Sequence, residues 1–252
     1  MNTIRDGINV GVQPAQMRSF LMIGQSNMAG RGIIGSVEKI ENPDCHMLRM
    51  GRWQKMHEPV NPDRPIFEGR YRSGVCLAAS FADEAARFYG DRVGLIPCAD
   101  GGTKIAQWMP GELLFDHTVA MVGLAARTST LSGILWHQGE SDCTSDELLA
   151  AHPERFVKMI TALRHALGAE ELPLLIGELS ESPKFCERVS GRNLQMNRQY
   201  RELVGRLPHA ALVSTQGLNL MDDNLHFDAA SLREFGRRYF EAYRGLISES
   251  RG

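Results

Sequence analysis

The sequence predicts an α/β fold, in which helices cover both faces of a five-stranded parallel sheet to give a three-layer α/β/α sandwich. Short apolar runs bounded by turn residues alternate along the chain with segments of helical periodicity, which is typical of a doubly wound sheet. The runs are apolar at nearly every position, as expected for strands buried on both faces. At 252 residues, the chain is expected to form a single domain over 1–252.

The elements follow from this alternation in chain order. Strands are predicted over the five apolar runs, at 19–23, 93–97, 133–136, 172–176 and 210–214. Helices are predicted over the periodic segments, at 75–89, 113–128, 147–167, 193–207 and 229–246. In the last helix, one face carries only apolar and aromatic residues and is expected to pack on the sheet: Leu232, Phe235, Tyr239 and Tyr243.

The segment 30–74 differs from the rest of the chain. It is rich in Gly, Pro and Asn and has no long periodic run. We therefore expect an irregular insertion after the first strand, and we expect it to form a wall of the pocket.

Composition limits the classes of partner. The formal net charge of −2 and the hydrophobic fraction of 43% give no electrostatic reason to expect nucleic acid or a membrane surface, so a small-molecule partner is expected. The five cysteines are scattered without a C-x-x-C pair, which favours reduced thiols over a zinc or redox centre. Residues 1–16 contain no apolar run of the kind that a signal peptide needs, and this predicts a cytoplasmic location.

Polar and reactive residues follow the predicted strands at the edge where open parallel sheets bind ligands. The segments at this edge, in chain order, are Gly24-Gln25-Ser26-Asn27, Asp100-Gly101-Gly102-Thr103, 137–142, Gly177-Glu178 and 223–226.

Ser26 and the Asp223–His226 loop predict a serine hydrolase. Ser26 comes directly after a buried strand, and Gly24 lets the backbone turn so that the serine hydroxyl and amide face a ligand. Asp223 lies three residues before His226, so one loop can hold the carboxylate on Nδ1 while Nε2 faces the serine. Taken singly, the serine and the aspartate could be helix caps and the histidine a structural residue. Their coincidence at one sheet edge favours the hydrolase.

Four blocks of sequence resemble the SGNH hydrolases, whose fold is flavodoxin-like. Within that superfamily the chain is similar to carbohydrate esterase family 6, to sialate O-acetylesterases and to the related acetylxylan esterases. The four blocks are 24–30 (GQSNMAG), 101–103 (GGT), 136–142 (WHQGESD) and 223–227 (DNLHF).

The resemblance implies a mechanism. Ser26 would be the nucleophile and His226 its base. The oxyanion hole would consist of the backbone N–H groups of Ser26 and Gly102 and the side-chain amide of Gln138, where most SGNH enzymes carry asparagine. These donors would polarise the ester carbonyl, so neither a metal nor another cofactor is expected.

Two choices stay open at this point. Asp223 is the first choice for the carboxylate that orients His226, and Glu140 is the alternative, because some members of the family are described with the glutamate of this block in that role. The expected activity is removal of acetyl groups from an O-acetylated carbohydrate, of the acetylxylan or sialate type, supplied as a small-molecule or oligosaccharide ester. The alternatives are a lipase or thioesterase of broader specificity and a catalytically silent sugar-binding protein.

Several further polar residues are candidate contacts to a sugar. The first four are Gln25, Asn27, His137 and Trp108, although the Trp108 ring could equally be packed in the core. Others could line the same pocket: Glu178, Asp100, Arg31 and Arg70.

Overall fold

The structure, a computed structural model, describes residues 17–62 and 72–249, where seven strands form one sheet between two layers of helices. The strands are β1 (Arg18–Gly24), β2 (Cys45–Arg49), β3 (Arg52–Lys55), β4 (Val93–Pro97), β5 (Thr130–His137), β6 (Leu174–Gly177) and β7 (Ala210–Val213). The helices are α1 (Ser26–Ala29), α2 (Leu77–Tyr89), α3 (Leu113–Ala125), α4 (Asp146–Ala166), α5 (Pro183–Arg188), α6 (Arg192–Val204) and α7 (Ala229–Glu249).

The strand order is β3-β2-β4-β1-β5-β6-β7, and every neighbouring pair is parallel except β2 and β3. Strands β2 to β4 lie on one side of β1, and β5 to β7 lie on the other. The direction of winding therefore changes at β1, and ligands bind at such a switch point in open sheets. The predicted three-layer α/β architecture is confirmed.

The prediction of five strands was wrong in number, because the segment 30–74 contains the hairpin β2–β3. Its two-residue turn is Met50-Gly51, with φ of 51° and 77°, so both residues are in the left-handed region that tight hairpins require. Strand β2 extends the parallel sheet beside β4, and β3 pairs antiparallel with β2 at the edge. Four described residues of the insertion line the pocket: Arg31, Asn61, Pro62 and Ser73.

The core lies on both faces of the sheet, and alternate residues of β1 divide between them. Phe20 and Met22 pack in the cluster formed with α2 and α7. Leu21 and Ile23 pack in the other cluster, with α3, α4 and α6. All four side chains are fully buried. This packing fixes the end of β1, from which the candidate nucleophile follows.

The last helix packs as its periodicity predicts, with Leu232, Phe235, Tyr239 and Tyr243 at most 3% exposed. Burial of each such side chain stabilises the fold by about 1.5 to 3 kcal/mol. The Tyr239 hydroxyl also donates to the carbonyl oxygen of Trp136, 2.7 Å away, and so ties the helix to β5.

Two sequence expectations fall outside the described residues. One is the absence of a signal peptide in residues 1–16, and the other is the candidate sugar contact Arg70. None of the described helices has both the length and the apolar character needed to cross a membrane.

Candidate active site

A sharp turn at the end of β1 presents Ser26. Gly24 has φ of 130°, and a Cβ there would overlap the carbonyl oxygen of His137, so the turn needs glycine. Gln25 N–H then donates to that carbonyl oxygen at 2.9 Å, and Ser26 begins α1. The Ser26 side chain is thereby held at the carboxyl edge of the sheet, next to the end of β5.

The loop that carries Asp223 and His226 is closed at its base. Leu220 and Phe227 form an isolated antiparallel bridge, and Met221 N–H donates to the carbonyl oxygen of His226 at 2.7 Å. Asn224 takes the left-handed conformation, with φ of 54°, which asparagine tolerates better than most residues. The short loop therefore holds the aspartate and the histidine in one fixed arrangement.

Ser26, His226 and Asp223 form a continuous hydrogen-bonded chain. The Ser26 Oγ and His226 Nε2 atoms are 2.9 Å apart, and the His226 Nδ1 and Asp223 Oδ2 atoms are 2.6 Å apart. Ser26 and His226 come from positions 200 residues apart in sequence. Both side chains are more than 90% buried yet line a cavity, and the more exposed Asp223 lies behind the ring.

Asp223 stays ionised because hydrogen bonds outweigh its partial burial. Burial acts to raise the pKa of the carboxyl group, but donation from the His226 backbone N–H, the His226 ring and the Leu225 N–H lowers that pKa below its usual value. Oδ1 accepts both backbone N–H groups at 3.0 Å, which leaves Oδ2 for Nδ1. The aspartate thus fixes the ring tautomer with the proton on Nδ1 and leaves Nε2 free to accept from Ser26.

Glu140 also lines the cavity, but its hydrogen-bond partner is Asn27 and not His226. The Asn27 amide donates to Glu140 Oε1 at 2.7 Å and to the Leu225 carbonyl oxygen at 3.2 Å, and its own oxygen accepts from Phe227 N–H at 3.1 Å. Glu140 therefore reaches the loop of His226 through Asn27. Between the two carboxylates considered from the sequence, Asp223 is the one in contact with the imidazole.

The Gln138 side chain does not face the cavity in this structure, which differs from its predicted place in the oxyanion hole. The side chain is fully buried, and its NH2 group donates to Asp142 Oδ2 at 2.5 Å and to the Thr103 carbonyl oxygen at 2.9 Å. Its Oε1 lies 3.2 Å from His152 Nε2. These contacts connect the loop after β5 to the loop after β4, so Gln138 fixes the spacing of two loops that border the cavity.

The other two predicted donors are open to a ligand. Ser26 N–H is in the first turn of α1 and has no intrahelical partner, and neither it nor Gly102 N–H donates to any acceptor in the described part of the chain. Gly102 has φ of 74° and open space on its side-chain side. Both residues line the cavity.

Three of the candidate sugar contacts proved to be internal. Trp108 is 1% exposed, packs edge-on against Trp136 and donates to the Thr103 hydroxyl at 3.1 Å, so it is the core ring that the sequence left as an alternative. His137 is fully buried, with Nε2 donating to the Glu178 carbonyl oxygen at 3.1 Å, and burial lowers its pKa. Asn27 is held by the bonds described above. In contrast to the expectation from the sequence, these three side chains do not line the cavity, because their polar groups are used inside the protein.

The remaining candidates divide in the same way. Glu178 is buried and paired with Arg201, away from the cavity. Gln25, Arg31 and Asp100 do line the cavity.

The cavity has a volume of about 550 Å³ and includes residues that the sequence did not indicate. One wall comes from α5 and the turn that follows it. It presents Phe185, Val189 and Arg188, and Arg192 at the start of α6 continues it. This wall lies in the segment that follows β6. Ligand-binding residues follow the strands of an open parallel sheet, so the sequence would have indicated this wall if more than Gly177-Glu178 had been considered after that strand. Asn61, Pro62 and Ser73 of the insertion also line the cavity.

Metal ligands are not grouped in the described part of the chain. No set of three or more His, Cys, Asp or Glu side chains there is arranged to hold a metal ion.

Comparison with known proteins is consistent with this geometry. Residues 16–245 match the family described as carbohydrate esterase, sialic acid-specific acetylesterase. A curated relative from Arabidopsis thaliana, named "Probable carbohydrate esterase At4g34215", is 29% identical over 243 residues, which is 89% of each chain.

Solved structures show the same fold. The At4g34215 structure from Arabidopsis thaliana superposes with a TM-score of 0.80 at 26% identity and covers 91% of this chain and 98% of its own. NanS superposes with a TM-score of 0.73 at 17% identity, with 94% and 99% of the two chains covered. XAC1771, described as a carbohydrate acetylesterase from Xanthomonas citri, superposes with a TM-score of 0.62 at 16% identity, with 93% of this chain and 56% of its own covered. The chain therefore belongs to the carbohydrate esterase family of sialic acid-specific acetylesterases, and it is a carboxylic ester hydrolase.

Proposed function

We propose that this protein is a single-domain serine esterase that removes acetyl groups from O-acetylated carbohydrates through an acetyl-enzyme intermediate. The observation that carries the proposal is the hydrogen-bonded chain from Ser26 through His226 to Asp223, of which Ser26 and His226 line a cavity. The family supplies the substrate class, an acetyl ester of a carbohydrate or another small molecule.

Acylation begins with His226. Its Nε2 atom, 2.9 Å from Ser26 Oγ, takes the hydroxyl proton as the oxygen attacks the ester carbonyl carbon. The N–H groups of Ser26 and Gly102 stabilise the negative oxygen of the tetrahedral intermediate. When the intermediate collapses, His226 returns the proton to the sugar oxygen, which leaves as a hydroxyl group.

Deacylation repeats these steps with water as the nucleophile. His226 removes a proton from water, the hydroxide attacks the acetyl carbonyl carbon, and Ser26 leaves with the proton that His226 returns. Asp223 stabilises the imidazolium ion in both halves, and its lowered pKa keeps it ionised for that purpose.

One charge at the cavity rim, that of Arg188, favours a carbohydrate that carries a carboxylate. Three arginines and two acidic residues line the cavity: Arg31, Arg188, Arg192, Asp100 and Glu140. Arg192 is already paired with Asp146 at 2.6 Å, and Arg31 donates to the carbonyl oxygen of Gly30 at 2.9 Å. Arg188 is exposed beside the loop that carries Asp223 and His226. Its guanidinium donates to the backbone carbonyl oxygen of Asp223 at 3.2 Å and forms no ion pair with the described residues, which leaves its charge available to an anion. This supports an O-acetyl sialic acid over a neutral acetylxylan, and the volume of about 550 Å³ is within the range of small-molecule sites.

The experiment that tests the proposal is acetate release from a matched panel. The panel contains O-acetyl sialic acid, acetylated neutral monosaccharides and acetylated xylo-oligosaccharides, with Ser26→Ala as the blank. We expect release by the wild type alone, fastest from the sialic acid ester. Arg188→Gln should raise KM for the anionic substrate and leave KM for the neutral esters unchanged. Release that survives Ser26→Ala would contradict the proposal.

The same protein preparation distinguishes the two alternatives. A series of nitrophenyl esters of increasing acyl length should show fastest turnover for acetate, whereas a lipase or thioesterase would prefer longer chains. A fluorophosphonate probe should label the wild type and not Ser26→Ala. Absence of labelling in a folded wild-type protein would instead indicate a silent sugar-binding protein.

A further inference from the structure

We propose that the side-chain amide of Gln25 is the third donor of the oxyanion hole, in the place that the sequence resemblance assigned to Gln138. The inference rests on the proposed function, because an oxyanion forms only if Ser26 attacks an acyl carbon.

The orientation of the Gln25 amide is fixed by the loop after β5. Its Oε1 atom accepts from Ser141 N–H at 3.3 Å and lies 3.4 Å from Gln138 Nε2. Since both neighbours are donors, the oxygen end of the amide turns toward them and the NH2 end turns away. Gln25 lines the cavity beside Ser26, so the NH2 end is presented to it.

The other side-chain amides near the cavity already use their NH2 groups within the protein. The NH2 group of Asn27 donates to Glu140 and Leu225, and that of Asn61 donates to the carbonyl oxygens of Pro62 and Ala99. The NH2 group of Gln138 is used as described above. Among the described residues around the cavity, the Gln25 NH2 group is the one side-chain amide with no protein acceptor.

The Gln25 NH2 group is also accessible to a ligand. The residue is 2% exposed overall, but its side-chain nitrogen is not sealed from solvent. An N–H donor that is held by its neighbours and has no acceptor of its own loses little on binding an oxyanion, because it has no internal hydrogen bond to break.

Asp142 and Gln138 then become positioning residues. Asp142 Oδ2 accepts from Gln138 at 2.5 Å and from Ile105 N–H at 2.9 Å, which fixes the Gln138 amide with its nitrogen near Gln25 Oε1. The buried chain Asp142–Gln138–Gln25 therefore aims the Gln25 nitrogen into the cavity. This gives a physical role to two residues of the block 136–142 that do not line the cavity.

The test uses 4-nitrophenyl acetate, whose hydrolysis needs the same oxyanion but no recognition of a sugar. Gln25→Ala should lower kcat by about 10² to 10³, as for loss of one oxyanion donor, with KM changed by less than about threefold. Gln25→Glu keeps the side-chain length and an acceptor oxygen for Ser141 N–H, and we expect at least as large a loss. It also serves as the second variant if Gln25→Ala folds poorly. The matched control is Gln199→Ala, which removes a glutamine that donates to the Leu149 carbonyl oxygen away from the cavity.

The rate of fluorophosphonate labelling gives an independent readout, because the phosphoryl oxygen occupies the same hole. Labelling should slow in both Gln25 variants and remain normal in Gln199→Ala. If Gln25→Ala keeps kcat within about threefold while Ser26→Ala abolishes turnover, the inference fails and the proposed function stands. A wild-type protein that neither turns over the ester nor labels would overturn both.

Discussion

Replacement of Asp223 by asparagine changes one atom of the carboxyl group and reverses the hydrogen bond to His226. In the wild type, Oδ1 accepts the backbone N–H groups of Leu225 and His226, and Oδ2 accepts from the ring at 2.6 Å. An asparagine oxygen can keep the two backbone bonds, which leaves the NH2 group facing Nδ1. That nitrogen must then be the acceptor, so the proton moves to Nε2 and points at Ser26.

The magnitude follows from this wrong tautomer. A histidine with its proton on Nε2 cannot accept the proton of Ser26 Oγ, and the same change in a serine protease triad lowers kcat by about 10⁴. A loss of 10⁴ corresponds to about 5.4 kcal/mol of transition-state stabilisation. Glu140→Gln should cost much less, because the glutamine oxygen can still accept from Asn27 and only the charge of one hydrogen bond is lost. At a difference of about 1 kcal/mol, that loss is about fivefold.

The assay is steady-state hydrolysis of 4-nitrophenyl acetate by Asp223→Asn, Glu140→Gln and a control. Asp222→Asn makes the same chemical change at the preceding exposed position, where no side-chain bond to the site is present, and should have normal activity. Thermal unfolding of each variant verifies folding. If Glu140→Gln lost more activity than Asp223→Asn, the assignment of the orienting carboxylate would be refuted.

Three other predictions concern the supports of the site and the fold. Asn27→Ala should lower kcat/KM by about 10² while the protein stays folded, since the loop of His226 loses its fixed position, and turnover within threefold would contradict this. Burial lowers the pKa of His152 to about 3, well below the value of about 6.5 in an unfolded chain. Between these two values only the unfolded state gains the proton, so the free energy of unfolding should fall as the pH falls, by up to about 1.4 kcal/mol per pH unit from this ring. Urea unfolding at about pH 7 and about pH 5 should show a smaller difference for His152→Gln than for the wild type, and an equal difference would count against the role of this ring. Gly24→Ala should destabilise the fold by at least about 2 kcal/mol, because the site combines φ of 130° with no space for a Cβ, whereas Gly245→Ala, in an open position of α7, should be neutral or stabilising in the same urea titration.

The sequence predicted those parts of the fold that depend on a regular pattern. The parallel strands and the long helices were predicted because burial on both faces and helical periodicity leave a signal in every residue. The hairpin β2–β3 was missed because its strands are short and its turn, Met50-Gly51, has a non-glycine residue at φ of 51°. Met50 is not a residue that usually marks such a turn.

In the candidate site, relations between residues close in sequence could be predicted, whereas contacts between separate loops could not. Residues close in sequence, such as Asp223 and His226, could be related to each other from spacing alone. The contact of His226 with Ser26, and the absence of a contact with Glu140, depend on how separate loops meet. The orientation of Gln138 could not be read from the sequence, because an amide can donate into the cavity or to a buried carboxylate, and only the position of Asp142 decides between them.

Ser26 is expected to carry the acetyl group during turnover. Rapid-quench mass spectrometry of the protein mixed with an acetyl ester tests it most directly, with peptide mapping to locate the modified residue. We expect the mass gain of one acetyl group on the peptide that contains Ser26, formed within the first turnover and absent in Ser26→Ala. Steady release of acetate with no acetylated Ser26 at any time, or with the group on another residue, would contradict the account.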